Sequence, residues 1–124
     1  NKEDEDALYR LADKISNEVH RVDSDKRRKV HMSGVWASNF VNHLYYIAQQ
    51  ICKDAEMPFD VLRPLIEETA AKMQDMEPYE AQTGPAKRGD DLILEKHMEL
   101  LTDSRQQQLY QLLSDSIKRT YQND

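Results

Sequence analysis

The chain has 124 residues, with 17 lysines and arginines against 23 aspartates and glutamates, so its formal net charge at pH 7 is −6. This length suits one domain with one core, and the acidic balance disfavours nucleic acid as a partner, because acidic surfaces repel phosphates. A single cysteine, Cys52, excludes an internal disulfide. No apolar run reaches the ~20 residues of a membrane helix, and the charged start is unlike a signal peptide. We therefore expect a cytoplasmic protein that does not bind membranes.

Residues 1–22 predict a short helix followed by a lone strand. Apolar residues recur at helical spacing over Asp4–Ser16, and Glu18–Val22 is a β-type run. A lone strand cannot satisfy its backbone, so this run is either merely extended or paired with a sheet outside this sequence. A βαβ protein cut near its last unit leaves such a helix and strand. We interpret residues 1–22 as the remnant of a preceding domain, and residues 23–124 as a helical domain.

A long central helix is predicted from the capping residues Asp23–Asp25 to about Ala55. It opens with a basic cluster, Lys26–Lys29, which we interpret as a solvated first turn or a domain contact. Apolar residues then cover most of its circumference, so it should be buried on several sides, within the domain or in a dimer. Gly34, inside this helix, suggests the close approach of another backbone.

Polar residues interrupt this apolar helix in two neighbouring rows. His31, Ser38 and Asn42 are spaced seven and four residues apart, so they share one face, and a second row lies beside it. Each residue alone is more simply a hydrogen-bonded core group, but two adjacent rows suggest a surface shared with a ligand or another domain. The second row consists of Asn39, His43 and Tyr46. Scattered histidines and the lack of an HExxH motif predict no metal site.

Further helices are predicted on both sides of a glycine-rich loop, Gln82–Asp90, which contains two of the three glycines in the chain. One helix runs from Val61 to about Met76, with Pro64 in its first turn. A second helix begins after a cap at Asp90. The last helix begins at a capping box formed by Ser104 and Gln107. Its expected buried face consists of Leu109, Leu112, Leu113, Ile117 and Tyr121. The fold class is all-α: a long central helix packed by three to four others.

A family resemblance rests on His31, on the polar motif Ala37–His43, on Leu65–Thr69, on the loop Thr83–Asp90 and on His97. Together these residues resemble the helical C-terminal domain that follows a Rossmann-type domain in NAD(P)-dependent oxidoreductases, which in turn are similar to pyrroline-5-carboxylate reductase. The match spans about residues 23–103. It implies that residues 1–22 are the last helix and strand of a dinucleotide-binding domain.

The resemblance also implies roles for particular residues. The parent protein would use NADP or NAD and transfer a hydride to a small-molecule substrate at the cleft between its domains, and the helical domain would bind substrate and form a homodimer. His31 is the candidate proton donor. For Arg88, an intradomain ion pair with Asp90 or Asp91 is at least as good an interpretation. The residues expected to face substrate or cofactor are Ser38, Asn39, Asn42, Thr83, Gly84, Pro85 and Arg88.

The sequence departs from a whole enzyme of this kind at one point. No G-x-G-x-x-G fingerprint occurs in the 124 residues, so we expect no dinucleotide to be bound by this chain alone, and no activity from it alone. The alternative is a non-enzymatic helical module for protein interaction or regulation, in which the polar rows and the glycine loop only set helix packing.

Overall fold

The computed structural model describes residues 2–18 and 23–122, apart from the side chains of residues 15–18. All regular structure in these residues is helical, which confirms the all-α prediction. The predicted strand Glu18–Val22 falls almost wholly outside the described residues. Two compact units divide the chain, Asn1–Phe59 and Asp60–Asp124, called here the N-terminal and C-terminal units. The predicted boundary between residues 22 and 23 remains a prediction.

The N-terminal unit consists of one helix and the predicted central helix. Helix α1 spans Lys2–Glu18. The central helix runs without a break through α2, Ser24–Gly34, a π-helical segment, Val35–Phe40, and α3, Val41–Asp54. Its start is fixed as predicted, because the carboxylate of Asp23 accepts a hydrogen bond of 2.8 Å from the amide of Lys26.

The π-helical segment changes which residues share a face. In a π-helix each N–H bonds five residues back instead of four, so the chain turns less per residue than in an α-helix. The predicted row of His31, Ser38 and Asn42 assumed regular α-helical spacing. Because Ser38 lies within the segment and Asn42 beyond it, both are rotated away from the face of His31. That part of the face assignment is wrong.

Gly34 is explained by the packing of α1 on α2. A Cβ atom at position 34 would lie 2.1 Å from Cδ2 of Leu8, which is far inside van der Waals contact. Leu8 and Ala12 are buried on this side of α1. The predicted close approach is therefore real, but the approaching group is a side chain and not a backbone.

The described residues of the C-terminal unit form five α-helices of very different lengths. A 3₁₀ turn, Phe59–Leu62, leads into α4, Arg63–Lys72, which carries Pro64 in its first turn as predicted. Two single-turn helices follow: α5, Pro78–Ala81, and α6, Pro85–Arg88. The last two are α7, Asp91–Leu100, and α8, Ser104–Tyr121.

One prediction about α8 is wrong and a second is correct only in part. Its N-cap is Asp103, whose carboxylate accepts from the amide of Gln106 at 2.9 Å, and Gln107 instead donates to the Leu101 carbonyl at the end of α7, at 2.6 Å. The predicted buried face is correct only in part: Ile117 and Tyr121 are half-buried, but the three leucines are exposed, Leu112 at 67%, and the buried residue is Ser114. The leucines of α8 thus have little cover from the described residues.

Exposed apolar side chains occur throughout the described residues. Trp36 of the central helix is 61% exposed and Leu100 of α7 is 78% exposed. Apart from Gly34, no residue of the central helix is buried by this chain, although its apolar character predicts burial on several sides. No helix among the described residues is both long and apolar enough to cross a membrane.

Candidate functional site

The glycine-rich loop forms a single helical turn held between two glycines. Gly84 has φ 107° and ψ 170°, and Gly89 has φ 69° in the left-handed region, conformations that residues with a Cβ rarely adopt. Between them, α6 turns the chain, with Ala86 buried beneath it. Both predicted loop glycines therefore have a backbone reason for their identity, independent of any ligand.

Some polar side chains of this loop have a hydrogen-bond partner within the chain, and others are exposed. Asp90 caps α7 by accepting from the amide of Ile93 at 3.4 Å, which confirms its expected role as a helix cap. Arg88 and Thr83 are exposed, and within the described chain Arg88 forms no ion pair with Asp90 or Asp91. The alternative reading of Arg88 as half of an intradomain salt bridge is therefore wrong.

Asp91 pairs instead with Lys118 of α8, at 2.5 Å. The hydrogen bond from Lys118 to Asp91 raises the pKa of the Lys118 ammonium above its ordinary value of 10.5. A second link between the same two helices is the 2.7 Å hydrogen bond between Nδ1 of His97 and the hydroxyl of Tyr110. Burial raises the pKa of Tyr110. Both pairs fix α7 against α8, and so hold the end of the loop.

The loop is held at its other side by an aromatic cluster that sequence reasoning missed. The ammonium of Lys87 lies 5.1 Å from the ring centroid of Tyr121, within cation–π range. The Tyr121 ring stacks on that of Tyr79 at 4.7 Å, and its hydroxyl donates to the Tyr79 carbonyl at 2.5 Å. Three residues so far apart in sequence carry no local motif, so only the fold reveals them as supports of the loop.

The polar residues of the N-terminal unit do not form one cluster. His31 is half-buried in a pocket between α1 and α2, with its ring 5.3 Å from that of Tyr9. Ser38 and Asn42 are exposed, whereas Asn39 is half-buried. The side-chain oxygen Oδ1 of Asn39 is buried without any hydrogen-bond partner. A buried acceptor left unpaired costs about 1–3 kcal/mol, so this oxygen marks a place where a donor is missing.

The predicted site residues therefore fall into two groups, one in each unit. His31, Ser38, Asn39 and Asn42 belong to the N-terminal unit, and the loop residues Thr83–Arg88 to the C-terminal unit. Among the described residues no group of three or more metal-binding side chains is arranged to hold a metal ion. Of the three glycines, Gly34 serves helix packing, and Gly84 and Gly89 shape the loop.

The comparisons with known proteins place this helical chain in a family. Residues 1–117 match the family described as DUF2520, a domain of unknown function, and the chain belongs to that family. No curated protein matches the chain.

A solved structure is also similar to the chain: a crystal structure of a putative NADP oxidoreductase from Bacteroides fragilis. The two share 44% sequence identity and superpose with a TM-score of 0.76. The match covers 79% of this chain but 38% of that protein. The likeness thus supports an oxidoreductase-associated helical domain, and this chain spans well under half the length of its neighbour.

Proposed function

We propose that the chain is the C-terminal substrate-binding and dimerisation domain of an NAD(P)-dependent oxidoreductase related to pyrroline-5-carboxylate reductase. The observation that carries the proposal is the 44% identity to a protein described as an NADP oxidoreductase of which this chain spans 38%. In the parent, a preceding domain would bind the dinucleotide, which supplies the hydride. The helical chain would position the substrate and would have no activity alone.

Arg88 is the residue best suited to hold an anionic group. Its guanidinium is exposed and forms no ion pair with Asp90 or Asp91 among the described residues, and its planar fork matches a carboxylate or a phosphate. Arg88 belongs to a well-defined turn, because the conformations of Gly84 and Gly89 fix the backbone on both sides of α6 and Ala86 is buried beneath it. Thr83, Gly84 and Pro85 precede it, and the Thr83 hydroxyl offers a second polar contact.

Asn39 is the polar residue of the central helix with the clearest need for an outside partner. Its buried oxygen has no donor within the described chain and is closed to solvent, so the preceding domain, a substrate or a second copy would supply one only after the side chain turns outward. Ser38 and Asn42 flank it and are exposed to the same kind of contact. His31 lies in the α1–α2 pocket, so its role as a proton donor requires a substrate that reaches this pocket.

A second copy of the chain is the proposed cover for the exposed apolar face of the central helix. Met32, Trp36, Phe40 and Leu44 follow one another at intervals of four residues and are all exposed. The rings of Trp36 and Phe40 meet edge to face at 4.9 Å, so they form a preassembled aromatic patch. Burial of such a patch against a symmetry mate is a usual basis of homodimers.

The proposal is tested on the upstream coding sequence and its product. We expect the reading frame to extend upstream through a βαβ region with a glycine-rich turn, and the longer protein to bind NADPH while the 124-residue chain does not. A reading frame that begins near Asn1 would refute it and leave the non-enzymatic interaction module. Sedimentation of the longer protein at micromolar concentration tests the dimer separately.

A further inference from the structure

Helices α7 and α8 border an open pocket of about 530 Å³ within the C-terminal unit. The two helices run antiparallel, because Asp91 at the start of α7 pairs with Lys118 near the end of α8. At the opposite end, Gln107 of α8 donates to the carbonyl of Leu101, just after α7. The pocket lies between these two links, and its volume is in the range of small-molecule sites.

The wall of the pocket that α7 provides carries a row of carboxylates. Asp91, Glu95 and Glu99 recur every four residues, so they share one face of the helix, with about 5–6 Å between successive Cβ atoms. Like charges at this spacing destabilise a helix. Asp91 is paired with Lys118, whereas Glu95 and Glu99 have no ion-pair partner among the described residues. The described chain therefore leaves the repulsion between these two carboxylates uncompensated.

The lining as a whole is strongly negative. Asp115 of α8 adds a fourth carboxylate, which is half-buried and accepts from the neutral side-chain amide of Gln111 at 2.9 Å. Lys118 is the one cation among the described residues that line the pocket. Four carboxylates against one ammonium leave a formal net charge of −3, so the pocket attracts cations.

A buried hydroxyl group in the pocket lacks a partner. Ser114 lines the pocket and is 8% exposed. Its hydroxyl forms no hydrogen bond among the described residues, and its oxygen is not closed off from solvent. Because buried polar groups are normally hydrogen-bonded, this hydroxyl points to a ligand that would pair with it. A hydroxyl oxygen accepts readily from an ammonium.

The remaining lining favours an organic cation over a bare metal ion. Among the described residues no group of three or more side chains is arranged to hold a metal ion. Leu94, Met98 and Tyr110 give the pocket an apolar part. A linear aliphatic amine suits both parts, because its ammonium groups pair with carboxylates spaced along α7 while its methylene groups cover the apolar side chains.

We propose that the pocket between α7 and α8 binds a linear aliphatic polyamine through Glu95, Glu99 and the hydroxyl of Ser114. This site goes beyond the proposed function, in which the loop before α7 would hold an anionic substrate. All residues of the pocket belong to the C-terminal unit. Polyamine binding therefore succeeds or fails independently of any dinucleotide-binding domain that precedes the chain.

The test is a titration of the ¹⁵N-labelled 124-residue chain with spermidine at constant ionic strength. We expect saturable amide shifts centred on the residues of α7 and α8 that line the pocket. Glu95→Gln/Glu99→Gln should weaken binding about tenfold or more, because it removes two charge-assisted contacts at nearly constant size. The matched control, Glu67→Gln/Glu68→Gln, removes the same charge from exposed residues of α4 outside the pocket and should change binding little.

Two further measurements separate a built site from general charge attraction. Ser114→Ala removes the hydroxyl without changing the charge, so it should weaken spermidine binding by about threefold to tenfold. Mg²⁺, a compact cation, should not reproduce the pattern of shifts. Equal weakening by the two double variants, non-saturable shifts, or the same shifts with Mg²⁺ would overturn the proposal. Unfolding curves check that the variants remain folded, and the loss of like-charge repulsion should slightly stabilise Glu95→Gln/Glu99→Gln.

Discussion

Leu8 of α1 occupies the space that a side chain at Gly34 would need, with its Cδ2 2.1 Å from the position of the missing Cβ. Gly34→Ala should therefore destabilise the chain, because overpacking of about 1–3 kcal/mol exceeds the ~1 kcal/mol gained in helix propensity. In a Leu8→Ala background the space is free, so the same substitution should stabilise by up to about 1 kcal/mol. Urea unfolding of the four proteins of this cycle measures the reversal of sign. If the effects of Gly34→Ala and Leu8→Ala on the unfolding free energy are additive, Leu8 does not fill the space at position 34.

Asn39 provides a test of the unpaired oxygen in the π-helical segment. Asn39→Leu replaces the buried acceptor with an apolar group of similar size, so the free energy of unfolding of the 124-residue chain should rise by about 1–2 kcal/mol. Asn42→Leu, at an exposed position of the same helix, should change it by less than about 0.5 kcal/mol. A loss of stability in Asn39→Leu would show that the oxygen has a partner.

Arg88 and Thr83 are tested in the full-length parent. Under the proposed function, Arg88→Ala should lower kcat/KM for an anionic substrate about tenfold or more, because one charge-assisted contact is lost. Thr83→Ala should lower it less, since it removes a neutral hydroxyl. Arg105→Ala, an exposed arginine at the start of α8, is the control. If all three variants retain full cofactor-dependent activity, the loop does not face the substrate.

Tyr121 should stabilise the loop from the far end of α8. Tyr121→Phe keeps the stack on Tyr79 and the contact with Lys87 but loses the hydrogen bond, at a cost of about 0.5–1.5 kcal/mol. Tyr121→Ala loses all three contacts and should open the loop further. Hydrogen exchange at the amides of Gly89 and Asp90, which bond to carbonyls within α6, reports this opening directly. Unchanged hydrogen exchange in both variants would show that Tyr121 does not stabilise the loop.

The Lys118–Asp91 pair predicts a pH dependence at the alkaline end. The folded-state pKa of Lys118 is raised above 10.5, so its contribution to stability is fully present below that pH and is lost as the pH rises through the folded pKa. The difference in unfolding free energy between wild type and Lys118→Gln should be constant from pH 7 to 10 and shrink above it. A difference that already vanishes near neutral pH would contradict the pairing.

The sequence predicted the elements of this fold better than their contacts. The central helix and the caps at Asp23 and Asp90 were predictable because local periodicity and short-range hydrogen bonds determine them. The leucines of α8 were wrongly predicted to be buried, because leucine periodicity shows only that a face will be covered. It does not show that the cover belongs to the same chain, and here Ser114 faces inward while Leu112 is exposed.

The candidate site was predictable only as a set of residue types. Gly84 and Gly89 could be assigned to a loop because their conformations exclude side chains. The support of that loop by Lys87, Tyr79 and Tyr121 depends on packing across some 40 positions and leaves no local signal. The α1–α2 pocket beside His31 was likewise hidden, because it exists only once α1 is packed against α2.

The π-helical segment lets the central helix hold one extra residue without turning its second half. A π-helical turn contains about one residue more than an α-helical turn, so the six residues Val35–Phe40 turn the chain roughly as far as five α-helical residues would. One residue fewer between Val35 and Phe40 would therefore restore continuous α-helix and leave α3, with His43 and Tyr46, facing nearly the same way. Homologous chains that differ by one residue here would present the same α3 surface to a partner.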